Sequence, residues 1–308
     1  MTDLRPALAD YLAHRRALGY KLDRFDGLLN DFIDHLQAHD LPHVTAEAAV
    51  EWATSPHSAQ AWWWCRRLSL VRGFARYLQA IDSATEVPPP GLIHAVAPRA
   101  VPYVFSDSDV AALLRATQRL NPALRASTYR VLVGLLVVTG MRVSEAINLD
   151  DADVDLDEAV LVIRHAKFDK TRLLFLHPST VEALESYRDA RRQHQPAPST
   201  AAFLVSSVGT RLQYSNVLRV FHQLLDDAGL PRQRHGNRPR MHDARHGFAV
   251  RTMVDGYAAG VDVGPRLAAL SVYLGHTRPA DTFWYLSGTP QLLGLAAARL
   301  EASREVES

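Results

Sequence analysis

Apolar residues recur at three- and four-residue intervals through most of the first eighty positions. Leu22, Phe25, Leu28, Leu29, Phe32, Ile33 and Leu36 form one such series, which predicts an amphipathic helix with Asp23, Asp26, Asp31 and Asp34 turned largely outward. A preceding helix runs from Leu4 to Leu18 and ends near Gly19, and a short one follows Thr45 up to about Thr54. Next, Leu68, Val71, Phe74, Ala75 and Leu78 stripe one face of a helix that opens on Trp62, Trp63 and Trp64. Neighbours on a helix lie about 100° apart, so three consecutive tryptophans cannot all point inward. They are expected mainly in the core, with at least one partly exposed. Arg66, Arg67, Arg72 and Arg76 take the remaining positions and give the same helix a basic face.

The periodicity breaks at Val87-Pro88-Pro89-Pro90-Gly91, with Pro98 and Pro102 beyond, a composition that makes an extended and fairly stiff connection. It divides the chain into a helical domain over 1–87, a linker over 88–104 and a second domain over 105–308. Ser106 and Asp109 form a capping-box start ahead of Val110, Leu113 and Leu114. Tyr129 to Val138 is apolar enough for a buried helix, which stops at Thr139-Gly140. Arg142 stands directly after that stop, followed by Val143, Ser144, Glu145 and the apolar Ala146, Ile147 and Leu149 of a further helix. The period then changes. Val160 to Ile163 and Leu173 to Leu176 read as two strands, with Lys167-Phe168-Asp169-Lys170 as their hairpin connection. Ser179 and Glu182 cap the next helix, whose Val181, Leu184 and Tyr187 face inward. After a polar loop over 197–208, a helix from about Ser215 to Ala228 buries Val217, Leu218, Phe221, Leu224 and Leu225. Leu292, Leu293, Leu295, Ala296 and Leu300 make a last short amphipathic helix. The fold class is mainly α with a small antiparallel β-sheet.

Composition narrows the function. The 308 residues are 47% hydrophobic and 22% charged, the balance of a soluble globular protein of two ordinary domains. One cysteine, Cys65, leaves neither an internal disulfide framework nor a thiolate cluster for structural zinc, which fits a reducing cytoplasm. No secretory signal and no apolar run near the roughly 20 residues of a membrane span is visible. The net charge of +1 conceals an uneven distribution: Val160 to Val250 holds 14 Lys and Arg against 7 Asp and Glu. Such a local basic field suits a phosphate partner, although a solvated basic face would have the same composition.

The chemistry concentrates between Met241 and Tyr285. Arg232, Arg234, His235, Arg238 and Arg240 form a basic loop that leads into His242-Asp243-Ala244-Arg245-His246. Leu274-Gly275-His276 follows, and then Thr282-Phe283-Trp284-Tyr285. A cation three residues from an imidazole, then an imidazole nine residues before a phenol, suits a phosphate held while the phenol attacks it. Each piece alone has a plainer reading. Arg142 could simply pair with Glu145, and Lys167 could be an ordinary hairpin lysine.

Taken together, Thr139-Gly140-Met141-Arg142-Val143-Ser144-Glu145, Lys167 in a hairpin, His242 with Arg245, Leu274-Gly275-His276 and Tyr285 resemble the tyrosine recombinase or phage integrase family in order and spacing. The motifs cover about residues 104 to 300; the N-terminal helical part is similar by size and character only. The resemblance implies a two-domain architecture, an N-terminal core-binding domain followed by a catalytic domain, and a site-specific DNA recombinase working through a 3′-phosphotyrosyl intermediate and a Holliday junction. Arg142 and Arg245 resemble the family's phosphate-clamping arginines, Tyr285 its nucleophile and Lys167 its general acid. His242 is similar to its proton-transfer histidine, His276 to a phosphate-binding position, and Glu145 to the acidic residue supporting the site. DNA contacts are expected from Arg66, Arg67, Arg72, Arg76, Arg238 and Arg240. No metal or cofactor is implied, since two guanidinium groups and a lysine supply the positive charge. The implied partners are double-stranded DNA and further copies of the chain, as a tetramer in the synapse, with related recombinases as possible co-partners, and no membrane. The implied location is the cytoplasm, on the nucleoid. A type IB topoisomerase and a catalytically silent accessory protein share much of this pattern. Three departures stand out: Ala166 and Phe168 flank Lys167 where small glycines are frequent, with Lys170 a rival for its role; Ser287 replaces a frequent histidine; and Asp255 to Arg266 reads as an insertion. With Trp284, they resemble the recombinases of transposons and integrated elements.

Overall fold

A computed structural model describes residues 4–20, 22, 25–95, 102–164, 171–195, 199–230, 238–275 and 294. The chain divides into two compact units, 1–100 and 101–308.

Four helices build the first unit: α1 (Arg5–Ala17), α2 (Asp26–Ala38), α3 (Ala46–Thr54) and α4 (Ala61–Gln79). Their apolar stripes meet in one core, in which Leu29, Phe32, Ile33, Trp52, Leu68, Val71 and Phe74 are buried. The second helix starts four residues later than the apolar series suggests, because Leu22 adopts a left-handed φ of 37° ahead of it. Thr45 caps α3, its hydroxyl accepting from the Ala48 N–H at 3.1 Å. The tryptophan run departs from expectation: Trp62, Trp63 and Trp64 are all half-buried, and it is Trp52 that occupies the centre of the core.

The second unit holds α5 (Asp107–Ala116), α6 (Ala123–Thr139), α7 (Val143–Asn148), β1 (Val154–Asp155), β2 (Val160–Ile163), β3 (Arg172–Phe175), α8 (Pro178–His194), α9 (Tyr214–Asp227), α10 (Met241–Ala258) and α11 (Val263–Leu274). The strands form an antiparallel sheet in the order β1-β2-β3, with Leu161 opposite Leu174 and Ile163 opposite Arg172. Leu161, Ile163 and Leu174 point into the core that α6, α8 and α9 share, so the sheet alternates as a half-covered sheet should. The Ser106 capping box forms as read, with the Asp109 carboxylate on the Ser106 N–H at 2.9 Å. The start of α8 differs. Pro178 fixes the first helical position, which makes His177 the cap, its Nδ1 accepting from the Ser179 N–H at 3.3 Å, and places Ser179 inside the helix.

The stretch Asp255 to Arg266 comprises the last turn of α10, a short connection and the start of α11. Gly256 lets the two helices cross closely, since a Cβ there would lie 2.5 Å from Arg266 Cδ, and Arg266 Nε donates to the Thr252 carbonyl at 2.9 Å. Ala249, Val250, Met253, Leu270 and Leu274 form the small core between these helices.

Candidate active site

The break between α6 and α7 sets the first cation. Gly140 ends α6 in the left-handed conformation, φ 61°, and two residues later the backbone of Arg142 is extended and caps α7. Its N–H donates to Glu145 Oε2 at 2.8 Å and its Nη1 to Glu145 Oε1 at 2.7 Å. The plain reading of Arg142 as the partner of Glu145 is therefore realised, and the pair holds the guanidinium at the mouth of a helix start.

Arg245 sits on the first turns of α10 and is 1% exposed. Its Nη1 donates to the Gly140 carbonyl at 3.0 Å, and its Nη2 donates to the carbonyl of Leu274. One buried guanidinium thus joins the segment before Arg142 to the segment before His276. The close approach of α10 to α6 depends on Gly140: a Cβ there would stand 2.6 Å from Phe248 Cδ1. Arg251, two turns beyond His242 on α10, adds a bond from its Nη2 to the Val137 carbonyl at 3.1 Å.

His242 lies one turn before Arg245 on the same helix, solvent-exposed at one edge. Surrounding protein lowers its pKa from 6.5 by desolvation; the Arg245 guanidinium lowers it further, Asp243 opposes, and Arg240 and Arg142 again lower it. The imidazole is thus neutral at neutral pH and stands in the field of three guanidinium groups. Arg240 is fixed by the α10 capping box, its N–H and its Nη2 both 2.8 Å from the buried Asp243 carboxylate.

Glu145 is the anion among these cations. Burial alone would raise its carboxyl pKa, but the hydrogen bonds and charge of Arg172, with bonds from Arg142, hold it at about 2. Arg172, the first residue of β3, donates Nη1 to Glu145 Oε1 at 3.0 Å and Nη2 to Oε2 at 2.7 Å. Arg172 is not marked out by the pattern around it. A basic residue beside Lys170 at a strand end reads as hairpin polarity, and its partner is 27 positions away.

Lys167, His276 and Tyr285 lie outside the described residues, as do the rival Lys170, most of the basic loop and nearly all of the C-terminal segment. Of the residues expected to contact DNA, Arg66 and Arg76 are exposed on α4, with Arg66 over the Phe25 ring at 5.4 Å. Arg72 holds the polyproline segment, donating to the carbonyls of Pro88 at 2.7 Å and Pro89 at 3.0 Å. Arg67 corrects the picture of one continuous basic face. It is 7% exposed, lies 3.8 Å above the Trp52 ring, and donates to the Trp52 carbonyl at 2.8 Å, so it fastens α3 to α4. Arg238 pairs with Asp226 at 3.0 Å.

Among the described residues one group has metal-ligand geometry. His35, His39 and Glu51 bring one donor atom each within 4.8 Å of one another, where α2 meets α3. Both imidazoles are 3.9 Å from the carboxylate, the separation of an ion pair between the two helices. None of the three belongs to the motifs above.

The family model described as Phage integrase family matches residues 104–291, more than half of the chain. The chain belongs to the phage integrase family. It is a tyrosine-type recombinase, an enzyme of DNA strand breakage and rejoining in site-specific recombination. It is 44% identical over 307 residues to the Sinorhizobium fredii protein named integrase/recombinase y4rB, covering 98% of each chain. Among solved structures, the recombinase resembles the Tn1549 transposon integrase in complex with transposon right end DNA, with a TM-score of 0.66, 14% identity and coverage of 98% and 99%. It also resembles a lambda integrase tetramer bound to a Holliday junction, with a TM-score of 0.63, 16% identity and coverage of 91% and 79%. At these identities the two structures establish the two-domain fold alone. Among the described residues no helix of the recombinase is long and apolar enough to cross a membrane.

Proposed function

We propose that the recombinase cuts each DNA strand by attack of the Tyr285 phenol on a backbone phosphate held by Arg142 and Arg245. The bond from phosphorus to the 5′ oxygen breaks, and a bond from phosphorus to the tyrosine oxygen forms. The phenol proton passes to a base, and the departing 5′ oxygen takes a proton from an acid. His242, neutral at working pH, suits proton transfer, and Lys167 suits the acid. His276 completes the phosphate contacts. Rejoining runs the same steps backwards with a new 5′ hydroxyl, so no external energy source enters.

The observation that carries this reading is Arg245. Burying a guanidinium is costly unless it is tightly hydrogen-bonded. Here it is anchored by the Gly140 and Leu274 carbonyls, which ties the turn before Arg142 and the C-terminal end of α11 to one helix. Positive charge fixed beforehand stabilises the charge that grows on phosphate oxygens in transfer.

The acting form is a tetramer of this chain on two DNA sites, exchanging strands through a Holliday junction, and its host is a mobile element. Arg66, Arg76 and Arg240 contact backbone phosphates. The likeness to the integrase tetramer supports the tetramer, and the likeness to the transposon integrase supports the mobile-element host.

The test is covalent attachment to a nicked suicide substrate. Tyr285→Phe is expected to bind DNA within about threefold of wild type and to form no attached product. Attachment by the Phe variant would overturn the assignment of the nucleophile.

A further inference from the structure

The motif residues account for Arg142, Glu145 and Arg245, but the second guanidinium on the Glu145 carboxylate belongs to none of them. Arg172 opens β3, opposite Ile163, five residues after Lys167. Its side chain is 12% exposed.

Three segments meet on it. The first is the start of α7. Each Glu145 oxygen takes one bond from Arg172 and one from Arg142: Oε1 accepts from both Nη1 atoms, at 3.0 and 2.7 Å, and Oε2 accepts from Arg172 Nη2 at 2.7 Å and the Arg142 N–H at 2.8 Å. A carboxylate has about four acceptor sites, so this one is filled, and Glu145 becomes a rigid joint between two guanidinium groups. The second segment is the hairpin, to which Arg172 belongs by chain connection. The third is the Leu274-Gly275 turn. Gly275 is left-handed, φ 68°, and a Cβ there would lie 3.3 Å from Arg172 Nη1, so the guanidinium rests against the backbone that leads into His276.

We infer that Arg172 is a positioning residue for strand cleavage, holding the Arg142 guanidinium through Glu145 and setting the start of β3 and the Gly275 turn against the same point. The inference rests on the reading of Arg142 as a phosphate-binding residue. Arginine suits the place because its planar fork matches both carboxylate oxygens at once, which a lysine ammonium cannot do. A cation in this position also lets Glu145 be buried without drawing off all of the positive charge Arg142 brings. Arg142 and Arg172 together outweigh the single carboxylate.

A residue with only a structural part would change stability and leave the rate of the correctly folded enzyme alone. The discriminating measurement is therefore single-turnover cleavage of a suicide substrate at saturating DNA, with DNA affinity and thermal midpoint measured on the same full-length variants. Arg172→Ala is expected to bind DNA within about threefold and to cleave about 100-fold more slowly, the loss that follows when a reacting group is misplaced by about 1 Å. Arg172→Lys keeps the charge and loses the fork; it is expected to recover part of that loss and to stay about tenfold below wild type. Because Arg172 acts through Glu145, adding Glu145→Gln to Arg172→Ala should slow cleavage little further than the single change.

Cleavage at the wild-type rate by Arg172→Ala, or by Arg172→Lys if the alanine variant does not fold, would overturn the inference, as would fully additive losses in the double variant. Arg142→Ala separates the two levels. If it cleaves normally, the phosphate-clamp reading itself fails; if it is inactive while Arg172→Ala is normal, only the inference about Arg172 fails.

Discussion

Arg245 donates a hydrogen bond to the carbonyl of Gly140 across 3.0 Å of space and 105 positions of sequence. The same guanidinium reaches Leu274 on the other side, so the buried cation is a fastener as well as a charge. Arg245→Ala would leave two carbonyls without their donor, at a cost of about 1–3 kcal/mol each, and would remove a cation from the proposed phosphate clamp. Cleavage of a suicide substrate is expected to fall by about 10²–10³ with DNA binding retained. Arg245→Lys should not restore it, since an ammonium on a single stem cannot span both carbonyls. Wild-type cleavage by the lysine variant would show that charge alone suffices.

Gly140 answers to two demands at once. Its φ of 61° disfavours any residue with a Cβ by roughly 1–2 kcal/mol, and the added carbon would stand 2.6 Å from Phe248 Cδ1. Gly140→Ala is therefore expected to destabilise the second unit by more than about 2 kcal/mol, or roughly 4–8 °C in calorimetry. An unchanged thermal midpoint would mean that α6 and α10 are not held at this distance.

Glu145 ties stability to pH. Its folded pKa of about 2 lies below the ordinary 4.5, so the stabilisation it brings is fully present above pH 4.5 and is lost as pH falls through 2. The size is roughly 3 kcal/mol, from 1.36 kcal/mol per pKa unit. Urea unfolding between pH 3 and 7 should show wild type losing stability below pH 4.5 faster than Glu145→Gln. Parallel curves for the two proteins would remove Glu145 from the acid response.

As the proposed proton-transfer group, His242 predicts the pH range of catalysis. Desolvation and then the Arg245 charge push its pKa below 6.5, so the imidazole stays neutral across the neutral range and protonates only on the acid side. Single-turnover cleavage should be level from pH 8 to about 6.5 with respect to this group and decline below that. An acid limb centred above 6.5 that disappears in His242→Ala would contradict the direction of the shift.

What the sequence disclosed follows from how local the signals are. The apolar series of α2, the Ser106 box and the Gly140 stop are decided within a turn or two of chain; the box and the stop form as read, and the series does so from Asp26 onward. Arg142 beside Glu145 was legible for the same reason. Arg172 was not, because its meaning is set by Glu145 and Gly275, far away in sequence. Arg67 misled in the opposite way. A helical wheel puts it beside Arg66, but α3 covers that side of the helix, and only tertiary packing reveals this. The cap of α8 went to His177 because Pro178 fixes where the helix begins, a preference stronger than the Ser179-x-x-Glu182 pattern.

Arg66, Arg67 and Arg76 should therefore separate in experiment, although they share one helix. Arg66 and Arg76 are exposed, and each phosphate contact they make releases condensed counterion. Replacing both with alanine is expected to weaken binding to duplex DNA of any sequence and to reduce the slope of log K against log salt by about 1.8. Arg67→Ala should leave that slope unchanged and lower the thermal midpoint of the first unit. It removes the stacking on Trp52 and the bond to the Trp52 carbonyl, and it leaves the 3.7 Å approach to Asp31 without its cation. Binding titrations at several salt concentrations, beside calorimetry of the same variants, decide the matter. A reduced slope with unchanged stability in Arg67→Ala would return that arginine to the DNA-contacting face.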